Sequence, residues 1–167
     1  HMAQLIDDLL TLSRITRGDL RREPVSVTGM VHDVVNDLRA AYPDRGVQFV
    51  VEDGLNDTAD PRLLRVLLDN LLGNAWKFTG QVPHARIEFG TLPSAAGATY
   101  FVRDNGAGFN MAYAGKLFRA FERLHDSREF SGTGIGLATA HRIVTRHGGR
   151  IWAEGAEGQG ATFYFTL

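Results

Sequence analysis

Apolar positions recur at helical spacing over residues 3–17. Leu5, Leu9 and Leu12 share a stripe with Ile6, Leu10 and Ile15, and Gly18 supplies a stop. The stripe is rich for so short a helix and has nothing nearby to pack on. Pro24 then sets it apart, so a boundary is expected near residues 18–24. A second helix is predicted over 28–41, with Thr28 as candidate N-cap and Met30, Val31, Val34, Val35 and Leu38 on one side. VQFVVE at 47–52 reads as a strand. Asp60-Pro61 opens the clearest helix of the chain, running to about Phe78, with an acid at the cap and proline in the first turn. ARIEFGTL at 85–92 and ATYFVRD at 98–104 read as strands split by a Pro-Ser-Ala-Ala-Gly loop. A polar, glycine-punctuated stretch over 105–131 leads into a helix at 135–147 that stops at Gly148-Gly149. Residues 150–154 and 161–167 read as a closing hairpin. This irregular alternation predicts an α+β fold, a two-layer sandwich with helices on one face of a mixed sheet.

Composition narrows the function classes. The 167 residues are 44% hydrophobic, enough for a packed core, and the formal net charge of -1 offers no electrostatic footprint for nucleic acid or an anionic membrane. Without cysteine there is neither a disulfide scaffold nor a thiolate metal site, which fits the cytoplasm. No apolar run is long enough to span a bilayer and no signal peptide is visible. His1-Met2 resembles a cloning scar. The chain is therefore expected to behave as a soluble cytoplasmic piece, compatible with a membrane-anchored or a soluble parent.

Three stretches carry candidate chemistry. On helix 61–78, Leu64, Leu67, Leu68, Leu71, Leu72 and Ala75 form the apolar stripe, whereas Asn70, Asn74 and Lys77 share another face. A solvated polar face accounts for them as well as a binding face does, although asparagine is a mediocre helix former. Next, the strand ending in Asp104-Asn105-Gly106-Ala107-Gly108-Phe109 places a carboxylate where it can accept from an exocyclic amine. Its glycines allow close backbone approach, but a lone Asn-Gly turn would look the same. Last, Gly132-Thr133-Gly134-Ile135-Gly136-Leu137 opens a helix, and free N–H groups at such a start suit phosphate. The preceding segment is polar and loop-like, unlike the buried strand of a dinucleotide fold, and no Gly-Lys-Ser/Thr follows for a P-loop.

Each signal alone is weak; their order is not. At this point the sequence resembles the GHKL ATPase superfamily, and within it the sensor histidine kinases, over nearly the whole chain. LLDNLLGNAWKFT looks like the N box, DNGAGF the first glycine box, FRAFERLH the phenylalanine box, GTGIGLA the second glycine box and GQGATFYFTL the closing segment. The resemblance implies the Bergerat fold and an Mg²⁺-dependent ATP site. By similarity, Asn74 coordinates Mg²⁺ and Asn70 supports it, both acting with Lys77 in catalysis, and Lys77 contacts phosphate. Phe78 packs on adenine, Asp104 accepts from its amino group, and Gly106, Gly108 and Phe109 lie beside it. Gly132, Thr133, Gly134, Ile135, Gly136 and Leu137 flank the phosphates, and Thr162 reaches toward the base. Residues 110–131 become a closing lid, with Phe118 and Phe121 as its anchors on a short helix.

One departure separates subfamilies. Topoisomerase-like and chaperone members carry a glutamate where this chain has Asn70, and Asp69 points about 100° away around the helix, so fast hydrolysis is not expected. The resemblance instead implies transfer to a histidine on a dimerisation domain, then to a response regulator, in a homodimeric parent. LIDDLLTLSRI resembles the end of the second dimerisation helix. This gives a truncated dimerisation helix and linker at 1–23 and a catalytic domain at 24–167. The acceptor lies upstream of it: His32-Asp33 and His125-Asp126 read as surface pairs, and His84, His141 and His147 as surface residues without ligand spacing. Two other readings stay open: a nucleotide-binding regulatory module without catalysis, and a serine kinase of the anti-sigma type.

Overall fold

The computed structural model describes residues 2–95 and 97–167, so His1 and Ala96 of the predicted 93–97 loop lie outside it. The described residues form four α-helices: α1 (Met2–Arg17), α2 (Val27–Ala41), α3 (Pro61–Phe78) and α4 (Gly136–Arg146). The strands are β1 (Glu23–Ser26), β2 (Gln48–Val51), β3 (Asn56–Ala59), β4 (Arg86–Leu92), β5 (Thr99–Asp104), β6 (Ile151–Gly155) and β7 (Ala161–Phe165). The main sheet has the order β2-β4-β5-β7-β6, with β2 parallel to β4 and the other pairs antiparallel. α2, α3 and α4 cover one face, as expected for the two-layer α+β sandwich, and α1 adds the N-terminal helix.

α3 is the centre of the core. Leu64, Leu67, Leu68, Leu71, Leu72 and Ala75 are all buried, and each leucine contributes on the order of 2 kcal/mol of hydrophobic stabilisation. Asp60 caps the helix, its Oδ1 accepting from the Arg62 and Leu63 N–H groups at 3.1 and 3.4 Å. At the other end Arg45 donates to the Trp76 carbonyl and to Thr79 Oγ1, satisfying C-terminal groups. The helix is thereby fixed at both ends, and with it the phase of its polar face.

Two expectations change. α2 starts one residue earlier than predicted, and its N-cap is Ser26, whose hydroxyl accepts from Gly29 N at 3.1 Å. Thr28 is buried instead, donating to the Glu52 carbonyl and accepting from Leu55 N. Residues 23–26 and 56–59 form a separate two-stranded sheet absent from the sequence reading.

Nor is α1 without a partner. It packs on α4 through buried Ile15, and the Arg146 guanidinium donates to the Ile15 and Gly18 carbonyls, ending the helix. Leu5 and Leu12 are half-buried, while Ile6, Leu9 and Leu10 stay exposed. His147 is a further correction: it is 3% exposed, not a surface residue. Its Nε2 accepts from the Asp60 N–H at 3.1 Å, so Nδ1 carries the proton and donates to the Ile143 carbonyl at 2.8 Å.

Candidate functional site

A cavity of about 520 Å³ opens between α3, the end of β5 and the start of α4, within the usual size range of small-ligand sites. From α3 come Asn70, Asn74 and Lys77, on a face adjoining the leucine stripe, and Phe78 at the end of the helix. Asp104, Gly108 and Phe109 close the end of β5. Gly132, Thr133, Gly134, Gly136 and Leu137 supply the loop and the first turn of α4. Three groups spread over some seventy residues of sequence thus share one cleft.

Two glycines here sit in close approach to α3. At Gly136 a Cβ would stand 2.7 Å from Asn70 Oδ1, so a larger residue would push the N-box amide aside. At Gly106 a Cβ would collide with the Phe78 carbonyl, which accepts from Ala107 N at 3.0 Å. Gly106 therefore joins the end of β5 to the end of α3 without itself lining the cavity. Asn70 is oriented by its own helix, donating from Nδ2 to the Val66 carbonyl at 2.9 Å.

One end of the cavity is cationic. Lys77 Nζ lies beside Gly132 and 4.6 Å from the Phe78 ring centroid. Burial, and then the neighbouring Arg123 charge, lowers its pKa below the ordinary lysine value. Arg123 donates to the Gly132 and Phe130 carbonyls. Ile135 at the N-cap of α4 supplies no side-chain cap, so the first N–H groups of the helix keep their positive end free for an anion. Asp104 carries the opposite character. It is 7% exposed, and burial pushes its carboxyl up to about 6 against the pull of the Gly106 and Ala161 N–H groups.

The structure separates the remaining expected residues. Ile135 is fully buried in the core and does not line the cavity. Thr162 points the other way, because side chains alternate along β7: Ala161 and Phe163 face the cavity, so Thr162 lies on the outer face. There its hydroxyl accepts from Arg103 Nε at 3.3 Å. In the lid, Met111–Lys116 form a 3₁₀ helix that stops before both phenylalanines. Phe118 is an anchor, packed edge-on to Phe163. Phe121 is not: it is 61% exposed and holds φ 67, a backbone conformation uncommon outside glycine.

Sequence reasoning missed Arg123, His125 and Phe130, lid residues in segments without periodicity. His125 does not lie at the surface as expected. Its Nε2 meets the Gly108 carbonyl at 2.8 Å, and its ring sits 5.1 Å from Phe78 and 5.3 Å from Phe130. Gln4 and Asp8 of α1 also line the cavity. Asp69 reaches its margin but is tied to Arg65 at 3.0 Å. Among the described residues no three His, Asp or Glu side chains converge to hold a metal. The Asn74 amide oxygen, with ligand and water oxygens, is a donor set that would suit Mg²⁺. No described helix is long and apolar enough to cross a membrane.

Comparison with known proteins bears on this cavity directly. Residues 59–167 match the family described as histidine kinase-, DNA gyrase B-, and HSP90-like ATPase. Cyanobacterial phytochrome B of Nostoc sp. is 36% identical over 100% of this chain and 22% of its own length. Methanogenesis regulatory histidine kinase FilI of Methanothrix harundinacea is 36% identical over 99% of this chain and 19% of its own length. The chain thus spans about a fifth of these relatives. Full-length ShkA, solved in complex with AMPPNP, superposes with TM-score 0.81 at 27% identity, covering 99% of this chain and 35% of that one. The catalytic domain of histidine kinase ThkA shares the fold, with TM-score 0.72 at 22% identity over 87% of this chain and 95% of that one.

Proposed function

This chain belongs to the histidine kinase-, DNA gyrase B- and HSP90-like ATPases, and on that footing we propose that its cavity binds Mg-ATP and presents the γ-phosphate to a histidine of a separate dimerisation domain. The observation that carries the reading is the convergence of Asn70, Asn74, Lys77 and Asp104 with the glycine loop on one cleft. Asp104 accepts from the adenine amino group, a use that fits an acid held in an apolar wall. Phe78 and Phe109 flank the ring. Asn74 donates its amide oxygen to the cation, with Asn70 holding the start of α4 in place behind it. Bound Mg²⁺ would neutralise charge on the β- and γ-phosphates. Lys77, Arg123 and the open N-terminus of α4 supply the remaining positive potential.

In this reading the protein positions and neutralises rather than reacts covalently. The incoming imidazole nitrogen forms a bond to the γ-phosphorus as the bridging P–O bond breaks, and ADP leaves. Water is a poor competitor because Asn70 occupies the glutamate position of the hydrolysing subfamilies, and the neighbouring Asp69 is held by Arg65. A dimerisation domain, a response regulator and a homodimeric parent follow from the same reading. So does a division into a dimerisation helix and linker at 1–23 and a catalytic domain at 24–167.

The test is reconstitution. The chain is mixed with Mg-ATP labelled at the γ-position and with the parent's separately prepared dimerisation domain. Label on that domain that is lost in acid and kept in base is expected. Acid-stable label would mark a serine kinase, and absence of any transfer despite measurable ATP binding would leave only a regulatory nucleotide module.

A further inference from the structure

α1 forms part of the cavity wall although it lies outside residues 59–167, the span of the family match. Its contact is specific. Thr133 Oγ1 donates to Asp8 Oδ2 at 2.6 Å, and Gln4 Nε2 donates to Asp8 Oδ1 at 3.0 Å. Thr133 sits between the two glycines that lead into α4, at the cationic end of the cavity. The helix is held there by Ile15 in the core and by Arg146 on its last carbonyls. A carboxylate thus accepts the Thr133 hydroxyl proton at the place where an anionic ligand would need it.

We propose that Asp8 is a specificity residue of this cavity: with α1 docked, its carboxylate stands in for a phosphate oxygen at Thr133 and so selects against the polyphosphate tail of a nucleotide. The proposal rests on the nucleotide reading above. A phosphate arriving at the loop must compete for the Thr133 hydroxyl and also meets a like charge, penalties that a nucleoside without phosphates escapes. By reciprocity, a ligand bearing phosphates loosens α1 as much as docked α1 weakens that ligand. The remaining charged groups at this end, Lys77 and Arg123 against Asp69 and Glu122, act on the phosphates in every variant alike, so the change between the unaltered chain and its Asp8 variants isolates the carboxylate.

The experiment titrates the chain, Asp8→Asn and Asp8→Ala with adenosine, with ATP in chelator and with Mg-ATP, by calorimetry. Both variants should bind ATP about tenfold more tightly, the scale of one charge-assisted hydrogen bond and one like-charge contact, while adenosine stays within about twofold. Hydrogen exchange in α1 of the unaltered chain should speed up with ATP and not with adenosine. Unchanged or weaker ATP binding by the variants overturns the proposal, and weakening confined to Mg-ATP would make Asp8 a cation ligand instead. An equal gain for adenosine would make α1 a steric cover, which also overturns it. Binding of neither adenosine nor ATP by any of the three proteins would reject the nucleotide reading itself, whereas binding without discrimination rejects only Asp8. Asp8 is part-exposed on a helix whose core contact is Ile15, so matching unfolding midpoints are expected and check that the variants are intact.

Discussion

Asp104→Asn should make this protein more stable and less able to bind adenine. Burial raises the Asp104 carboxyl from 3.8 to about 6. Holding it ionised at neutral pH therefore costs the fold up to roughly 3 kcal/mol, at about 1.4 kcal/mol per unit. The sign follows from linkage: an acid whose folded pKa is raised binds its proton more tightly when folded. Its contribution to stability is then fully present below about pH 4 and lost as pH rises through about 6. The asparagine removes that charge and keeps one oxygen to accept from Gly106 N, now bonded at 2.9 Å. It also buries an amide NH₂ with no acceptor, at a cost of about 1–3 kcal/mol, so the net gain is about 1 kcal/mol and the midpoint rises by a few degrees. Calorimetric melts across a pH series measure this, with adenosine titrations beside them. The unaltered protein should gain stability from about pH 7 to about pH 5 more steeply than the variant. Adenosine affinity should fall at least about tenfold in the variant, since a hydrogen bond to a charged, buried acceptor is lost. Identical pH slopes, or a variant less stable throughout, would refute the idea that this carboxylate is held ionised against its surroundings.

Two substitutions test the geometry away from the cavity. Thr162→Val should leave ATP affinity within about twofold, because the hydroxyl lies on the outer face with Arg103; a tenfold loss in titration would put Thr162 back in the site. His147→Leu should destabilise the chain by about 1–3 kcal/mol by stripping the buried Asp60 N–H of its acceptor. Denaturant melts that show no change would mean the ring is not needed at the α3 cap.

What could be read from the sequence is what depends on local periodicity. The leucine stripe of α3 and its Asp60-Pro61 start are specified within one helix, and so is the shared face of Asn70, Asn74 and Lys77. The glycine loop was legible for a similar reason, since free N–H groups follow from its own backbone. Features set by distant partners were not legible. β1 and β3 carry no apolar alternation and exist because each pairs with the other across some thirty residues. Thr28 reads as a cap until Glu52 and Leu55 bury it. Thr162 shows the limit most clearly. In ATFYF both phases of the strand carry large side chains: Phe163 and Phe165 face the helices, while Tyr164 stacks 5.4 Å from Trp152 on the outer face, opposite Phe101. With an aromatic on each side, alternation cannot assign Thr162 to the cavity or away from it. Only the register of β7 against β5, which sets Thr162 beside Arg103 and Ala161 beside Asp104, decides the matter. The same dependence on distant groups explains α1. Its sequence suggests a helix in search of a partner, and it is Arg146 and Thr133, more than a hundred residues away, that bring Asp8 to the cationic end of the cleft.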